Sequence, residues 1–171
     1  MPYLLRPLLP ADAATVLGLN NAAVPAVNVH DEDSLSALLA AGSHAIAVVH
    51  DTAPGDVLGF AVVFGVDADY ASENYRWFSA RSDSFLYVDR IVVSDQARNQ
   101  GLGALLYTAI FAAAAAAEVR QVFCEVNLAP ANPRSLAFHS RLGFEPIGEQ
   151  STKGGTVVVS LLAAPVGPGA R

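Results

Sequence analysis

Residues 85–111, FLYVDRIVVSDQARNQGLGALLYTAIF, limit the possible folds more than any other stretch. Phe85–Val93 is apolar, rich in aromatic and β-branched residues, and holds no Gly or Pro, which predicts a strand. Ser94–Gln100 is polar, so the chain leaves the core there. From about Leu102 to Val119 the residues are strong helix formers, and the six alanines 112–117 have the highest intrinsic propensity. A strand that feeds a helix through the glycines 101 and 103 is a building block of α/β proteins.

That junction also suits anion binding. The first four amides of a helix have no partner inside it, and the macrodipole puts partial positive charge at the same end. Gly101 and Gly103 lack the Cβ atoms that would hold an anion off the backbone, and Arg98 can add a charge-assisted contact. Each such interaction is worth only about 0.3–2 kcal/mol, so binding needs several of them on one polyanion. A plain tight turn between strand and helix would use the same residues. The P-loop pattern is excluded because no Gly-Lys-Ser/Thr follows, and the dinucleotide fingerprint because its three spaced glycines are missing.

The flanking chain predicts a strand at Tyr3–Arg6, helices at Asp12–Asn20 and Asp31–Ala41, and strands at His44–His50 and Val57–Phe64 joined by a turn at 51–56. Residues 66–84 are expected to form a long irregular insertion carrying Asn74-Tyr75-Arg76-Trp77-Phe78, and such insertions are often functional. A strand at Arg120–Asn127, a helix at Asn132–Leu142 and strands at Phe144–Glu149 and Thr156–Leu162 complete the order. This is mixed α/β with antiparallel hairpins around a parallel centre. Residues 1–164 are expected to form one domain and 165–171, rich in Pro and Gly, a disordered tail.

A formal net charge of −6 argues against a nucleic-acid partner, which selects a basic face, but not against a polyanionic cofactor held by local amides. No apolar run reaches membrane-spanning length and MPYLLRPLLP carries no signal pattern, so a cytoplasmic protein with no membrane partner is expected. The lone Cys124 rules out an internal disulfide and a multi-cysteine zinc site; it is expected to be a buried core thiol. His30, His44 and His50 are too scattered for a metal site, so no metal is expected.

Arg98-Asn99-Gln100-Gly101-Leu102-Gly103 resembles the pyrophosphate loop of the GNAT (Gcn5-related) N-acetyltransferases, Arg/Gln-x-x-Gly-x-Gly/Ala. About 30 residues on, Asn132-Pro133-Arg134-Ser135-Leu136-Ala137-Phe138-His139-Ser140-Arg141-Leu142-Gly143-Phe144 resembles that family's second signature. Together with Tyr87-Val88-Asp89-Arg90 and Glu125-Val126-Asn127, these residues are similar to an uncharacterised bacterial branch of the family. The resemblance covers roughly residues 85–149.

The resemblance implies the acyl-CoA N-acyltransferase fold, a central mixed sheet of about seven strands flanked by about four helices, with two central strands splayed around the thioester. It implies acetyl-CoA as cofactor and direct attack on it by the amine of a small-molecule or amino-acid-like acceptor, in a monomer or homodimer. It places cofactor contacts at Ile91, Val92 and Val93, at Arg98, Asn99, Gln100, Gly101, Leu102, Gly103 and Ala104, and at Asn132, Arg134, Ser135 and Phe138; Asn132 can also cap its helix, and a solvated face is an equal reading of Arg134. A catalytically silent acyl-CoA sensor, or a transferase of a larger acyl group, would keep the same loop.

Three residues are candidates for catalysis. Asp89 is a carboxylate inside an apolar strand, either a general base or one half of a salt bridge. Glu125, near the end of the next strand, has the same two readings, base or acceptor contact against structural hydrogen bond. His139 stands where the resemblance implies a tyrosine that protonates the departing thiolate; an imidazolium can do this, or the ring packs on the cofactor. Tyr75, Arg76, Trp77 and Phe78 are expected to wall the acceptor pocket or to form a dimer contact.

Overall fold

The computed structural model of the chain describes residues 2–167. Its elements are β1 (Tyr3–Pro7), α1 (Ala13–Ala22), α2 (Glu32–Ala41), β2 (His44–His50), β3 (Ala53–Phe64), α3 (Glu73–Ser79), β4 (Phe85–Val93), α4 (Leu102–Ala116), β5 (Gln121–Ala129), α5 (Pro133–Arg141), β6 (Glu145–Thr152) and β7 (Val157–Pro165). The strands form one mixed sheet in the order β1-β2-β3-β4-β5-β7-β6. The β4–β5 pair is parallel, while β1–β2, β2–β3, β5–β7 and β6–β7 are antiparallel. This is the expected α/β architecture with its parallel centre.

The chain divides into two compact units, the first comprising residues up to Phe64 with Arg90–Ile110 and the second Gly65–Asp89 with the chain from Phe111 on. Both β4 and α4 contribute a segment to each. In the first unit α1 packs on α2 and β3, and Val16, Leu35, Leu38, Val48 and Phe60 are buried in its core. Asp31 caps α2, accepting from the Ser34 amide at 2.8 Å. Arg6 grips Asp12 with two nitrogens at 2.7 and 2.9 Å, which holds the Asp12 carboxyl below its usual range and the guanidinium above its own. Arg90, buried in β4, donates to Asn20 of α1 at 2.7 Å, so this inward cation meets a polar partner.

In the second unit the core is aromatic. Phe78 of α3 stacks on Phe123 of β5, centroids 4.4 Å apart and rings 11° from parallel, and Tyr75, Phe85 and Tyr87 close around them. The stretch expected to be irregular therefore contains a helix, giving five helices among the described residues rather than about four. Seven residues hold no long period, and Ser72, whose side chain accepts from the Tyr75 amide, starts α3 while burial of Tyr75 and Phe78 holds it down. The turn expected at 51–56 is shorter, because Ala53 already pairs with His50 as part of β3. At the other end Pro165 still belongs to β7 and the Val166 amide donates to Arg120 O at 2.9 Å; residues 168–171 of the expected tail lie outside the described residues.

Candidate active site

The glycine turn forms as β4 ends. The Ser94 amide donates to Leu58 O at 2.8 Å, one 3-10 turn covers Asp95–Ala97, and Arg98 is extended. Asn99 and Gly101 have φ of 63° and 78°, a region that L side chains resist and glycine does not. The Leu105 amide donates to Gly101 O at 3.0 Å, and the amides of Leu102, Gly103 and Ala104 precede it in the first turn of α4. Nothing lies within 4 Å of where a Gly101 Cβ would stand, so the backbone is open there.

This open first turn fits an anionic diphosphate by backbone shape and donor chemistry. Arg98 is exposed beside it, and Asp95 at 2.5 Å is a second claimant on its guanidinium. Gln100 accepts a close hydrogen bond from the Tyr3 hydroxyl. On the strand before the turn, Val92 is buried while Ile91 and Val93 are half-buried. The β4–β5 register runs from Phe85↔Gln121 to Val88↔Cys124, so Ile91–Val93 lie beyond its last pair.

Asp89 and Glu125 are each one residue past that last pair, on neighbouring parallel strands. Both are half-buried and each accepts from a tyrosine: Tyr70 Oη donates to Asp89 Oδ1 at 2.5 Å, and Tyr87 Oη donates to Glu125 Oε1 at 2.9 Å. Tyr87 is fully buried. Burial pushes its phenol well above the usual range, the Glu125 and Asp89 charges add to that, and a hydrogen bond with the Ser72 side chain opposes it. Tyr87 is therefore a proton donor throughout the neutral range. The cluster offers two carboxylates facing tyrosine hydroxyls, a setting suited to taking a proton from a cationic amine.

His139 is held separately on α5. Asn132 caps this helix, its Oδ1 accepting from the Ser135 amide at 3.2 Å, and Pro133 occupies the first position, where no N–H is missed. The His139 ring is 4% exposed and packs edge-on against Phe138 and Phe144. Its Nδ1 lies 2.8 Å from Ser135 O and 3.3 Å from Ser135 Oγ; the carbonyl can only accept, so Nδ1 carries the proton. Burial lowers the imidazole pKa and the Ser135 carbonyl offsets part of this, so the neutral ring is favoured. Arg134 is exposed on the first turn of α5 and Phe138 is half-buried.

The structure divides the four residues expected to wall an acceptor pocket. Tyr75 and Phe78 point into the core, Phe78 with no exposed surface, so neither presents a face to a ligand. The cause is the helix: at spacing i and i+3 both fall on its inward side. Arg76 is exposed and Trp77 half-buried under the Arg81 guanidinium, 3.7 Å above its ring. Tyr70 was not singled out by sequence reasoning; the only signal for it was a tyrosine within Asp67-Ala68-Asp69-Tyr70, ahead of the aromatic patch. Cys124 is buried. Among the described residues no three His, Cys, Asp or Glu side chains group to hold a metal, and no helix is long and apolar enough to cross a membrane.

The family profile described as the acetyltransferase (GNAT) family matches residues 19–144. No curated protein matches the sequence. Among solved structures, the chain is similar to Ard1 from Thermoplasma volcanium, with a TM-score of 0.77 at 14% identity over 96% of this chain and 98% of the other. It is similar to the ribosomal-protein-S18-alanine N-acetyltransferase of Escherichia coli, with a TM-score of 0.72 at 15% identity over 99% and 97%. A third is yncA, a putative acetyltransferase from Salmonella typhimurium with its cofactor acetyl-CoA, with a TM-score of 0.73 at 17% identity over 100% and 98%.

Proposed function

The chain belongs to the acetyltransferase (GNAT) family, and from that premise we propose that it acetylates the amine of a small-molecule or amino-acid-like acceptor by direct attack. It is an acyltransferase and its cofactor is acetyl-CoA. The observation that carries the finer reading is the pair Asp89 and Glu125, each accepting from a tyrosine hydroxyl.

Bound acetyl-CoA supplies the acetyl group as an activated thioester. The backbone at 98–104 would hold the diphosphate, with the amides of Leu102, Gly103 and Ala104 as donors and Arg98 as added charge. A backbone amide among Ile91–Val93 would supply a donor for the thioester carbonyl. Asn132, Arg134, Ser135 and Phe138 on α5 serve the rest of the cofactor.

An alkylammonium is neutral in only about one molecule per thousand at pH 7. Its proton must be removed before the nitrogen can attack. Asp89 takes that proton at its carboxylate, and Glu125 holds the acceptor's positive charge until it does. Two carboxylates favour a cationic acceptor, and Arg76 and Trp77 border the approach. The His139 ring is neutral near pH 7; acid catalysis would need a protonated Nε2, which burial opposes.

The family match runs across both compact units, which supports reading residues 1–164 as one acetyltransferase domain; we place it in the cytoplasm as a monomer or homodimer. A silent acyl-CoA sensor is the second reading, favoured by the neutral His139 where an acid is expected. The test is CoA release with an amine panel for wild type, Asp89→Asn, Glu125→Gln and His139→Phe. Turnover by wild type, lost in Asp89→Asn with cofactor affinity retained, supports the enzyme. Equal cofactor binding by all four with no turnover establishes the sensor.

A further inference from the structure

We propose that Tyr70 is a positioning residue for acetyl transfer, its phenol orienting the Asp89 carboxylate toward the acceptor's proton. The inference rests on the reading of Asp89 as the base. Tyr70 is half-buried and its Oη donates to Asp89 Oδ1 at 2.5 Å, at the short end for an O–H···O⁻ bond. A carboxylate with one oxygen so held cannot turn freely, so its remaining lone pairs keep one direction. Alignment of this kind is worth more in a transition state than in the ground state.

The phenol itself has little latitude, because the chain on either side of it is closed and anchored. The Tyr75 hydroxyl donates to Gly65 O at 2.8 Å and accepts from the Ala68 amide at 2.9 Å, which pins residues 65–75 into a loop. The Tyr70 ring packs edge-on against Tyr75, centroids 5.9 Å apart. Two residues on, Ser72 caps α3 and hydrogen-bonds Tyr87, the donor to Glu125. The short segment 70–72 therefore reaches both carboxylates, Asp89 directly and Glu125 through Tyr87.

The helix that follows is fastened to β6 and to the turn just after it. Gln150 Nε2 donates to Asn74 Oδ1 at 3.0 Å, and the Lys153 amide donates to Glu73 Oε1 at 3.2 Å. A half-buried carboxylate on an apolar strand is costly without a donor, and the Tyr70 phenol supplies one.

The test replaces Tyr70 by Phe, and separately by 3-fluorotyrosine and 3,5-difluorotyrosine, which keep the hydroxyl while making it progressively more acidic. Steady-state rates, the pH–rate profile and acetyl-CoA KM are measured for each, with emission of Trp77, the one tryptophan, reporting that α3 is seated. The proposal expects Tyr70→Phe to lower kcat roughly 10- to 100-fold, with acetyl-CoA KM within about twofold of wild type, and the fluorotyrosines to change kcat and the pH profile in step with phenol acidity. Tyr70→Phe at wild-type kcat while Asp89→Asn is inactive would overturn it. So would fluorotyrosine enzymes indistinguishable from wild type beside a Tyr70→Phe protein that only melts earlier. Full turnover by Asp89→Asn would remove the base reading itself and this proposal with it.

Discussion

The indole of Trp77 lies over Gly148 so closely that a β-carbon built at residue 148 would stand 2.8 Å from its Cζ2 atom. This contact fastens α3, and with it the segment that reaches Asp89 and Glu125, to an edge strand of the sheet. Gly148→Ala should displace the ring, because a β-carbon cannot stand 2.8 Å from it. The expected cost is about 1–3 kcal/mol in chemical denaturation, with red-shifted Trp77 emission in the native state. Unchanged emission and stability would mean that the ring yields freely and the helix is held elsewhere.

Gly101 has φ of 78° and open space where a side chain would project. Gly101→Val puts a branched side chain into that space and strains the turn by about 1–2 kcal/mol. Affinity for CoA by calorimetry should fall on the order of tenfold or more, with Trp77 emission unaltered. Retained affinity would take the diphosphate away from this turn.

His139 gives a pH dependence of definite sign. Its folded pKa lies below the unfolded value, so the unfolded chain binds the proton more readily. The stability held by the neutral ring is complete above the unfolded value of about 6.5. It is lost as pH falls from there through the folded pKa, at no more than about 1.4 kcal/mol per pH unit. Urea melts at pH 7.5 and 5.5 should show wild type losing more stability than His139→Gln. Parallel losses in the two proteins would contradict the assignment.

Much of this was legible in the sequence where patterns were long. The run from β4 through the glycine turn into α4 carries its own strand, breaker and helix signals, and its boundaries fall close to expectation. Asp89 was visible as a charge within an apolar strand and His139 by its place in a motif. Their partners were not, because Tyr70 is 19 residues from Asp89 and Tyr87 is 38 from Glu125, and no local pattern reports such pairings. The helix α3 escaped notice because seven residues hold too few turns for periodicity, and its stability comes from the rings beneath it. Whether Tyr75 and Phe78 faced a pocket or the core depended on that helix existing.

Whether the first turn of α4 holds the diphosphate is read out by titrating ¹⁵N-labelled protein with CoA and following the amide resonances. The largest saturable shifts are expected at residues 98–104, foremost at Leu102, Gly103 and Ala104, with 3′-dephospho-CoA moving the same set and free pantetheine leaving them in place. CoA binding that leaves those amides unmoved would contradict that placement.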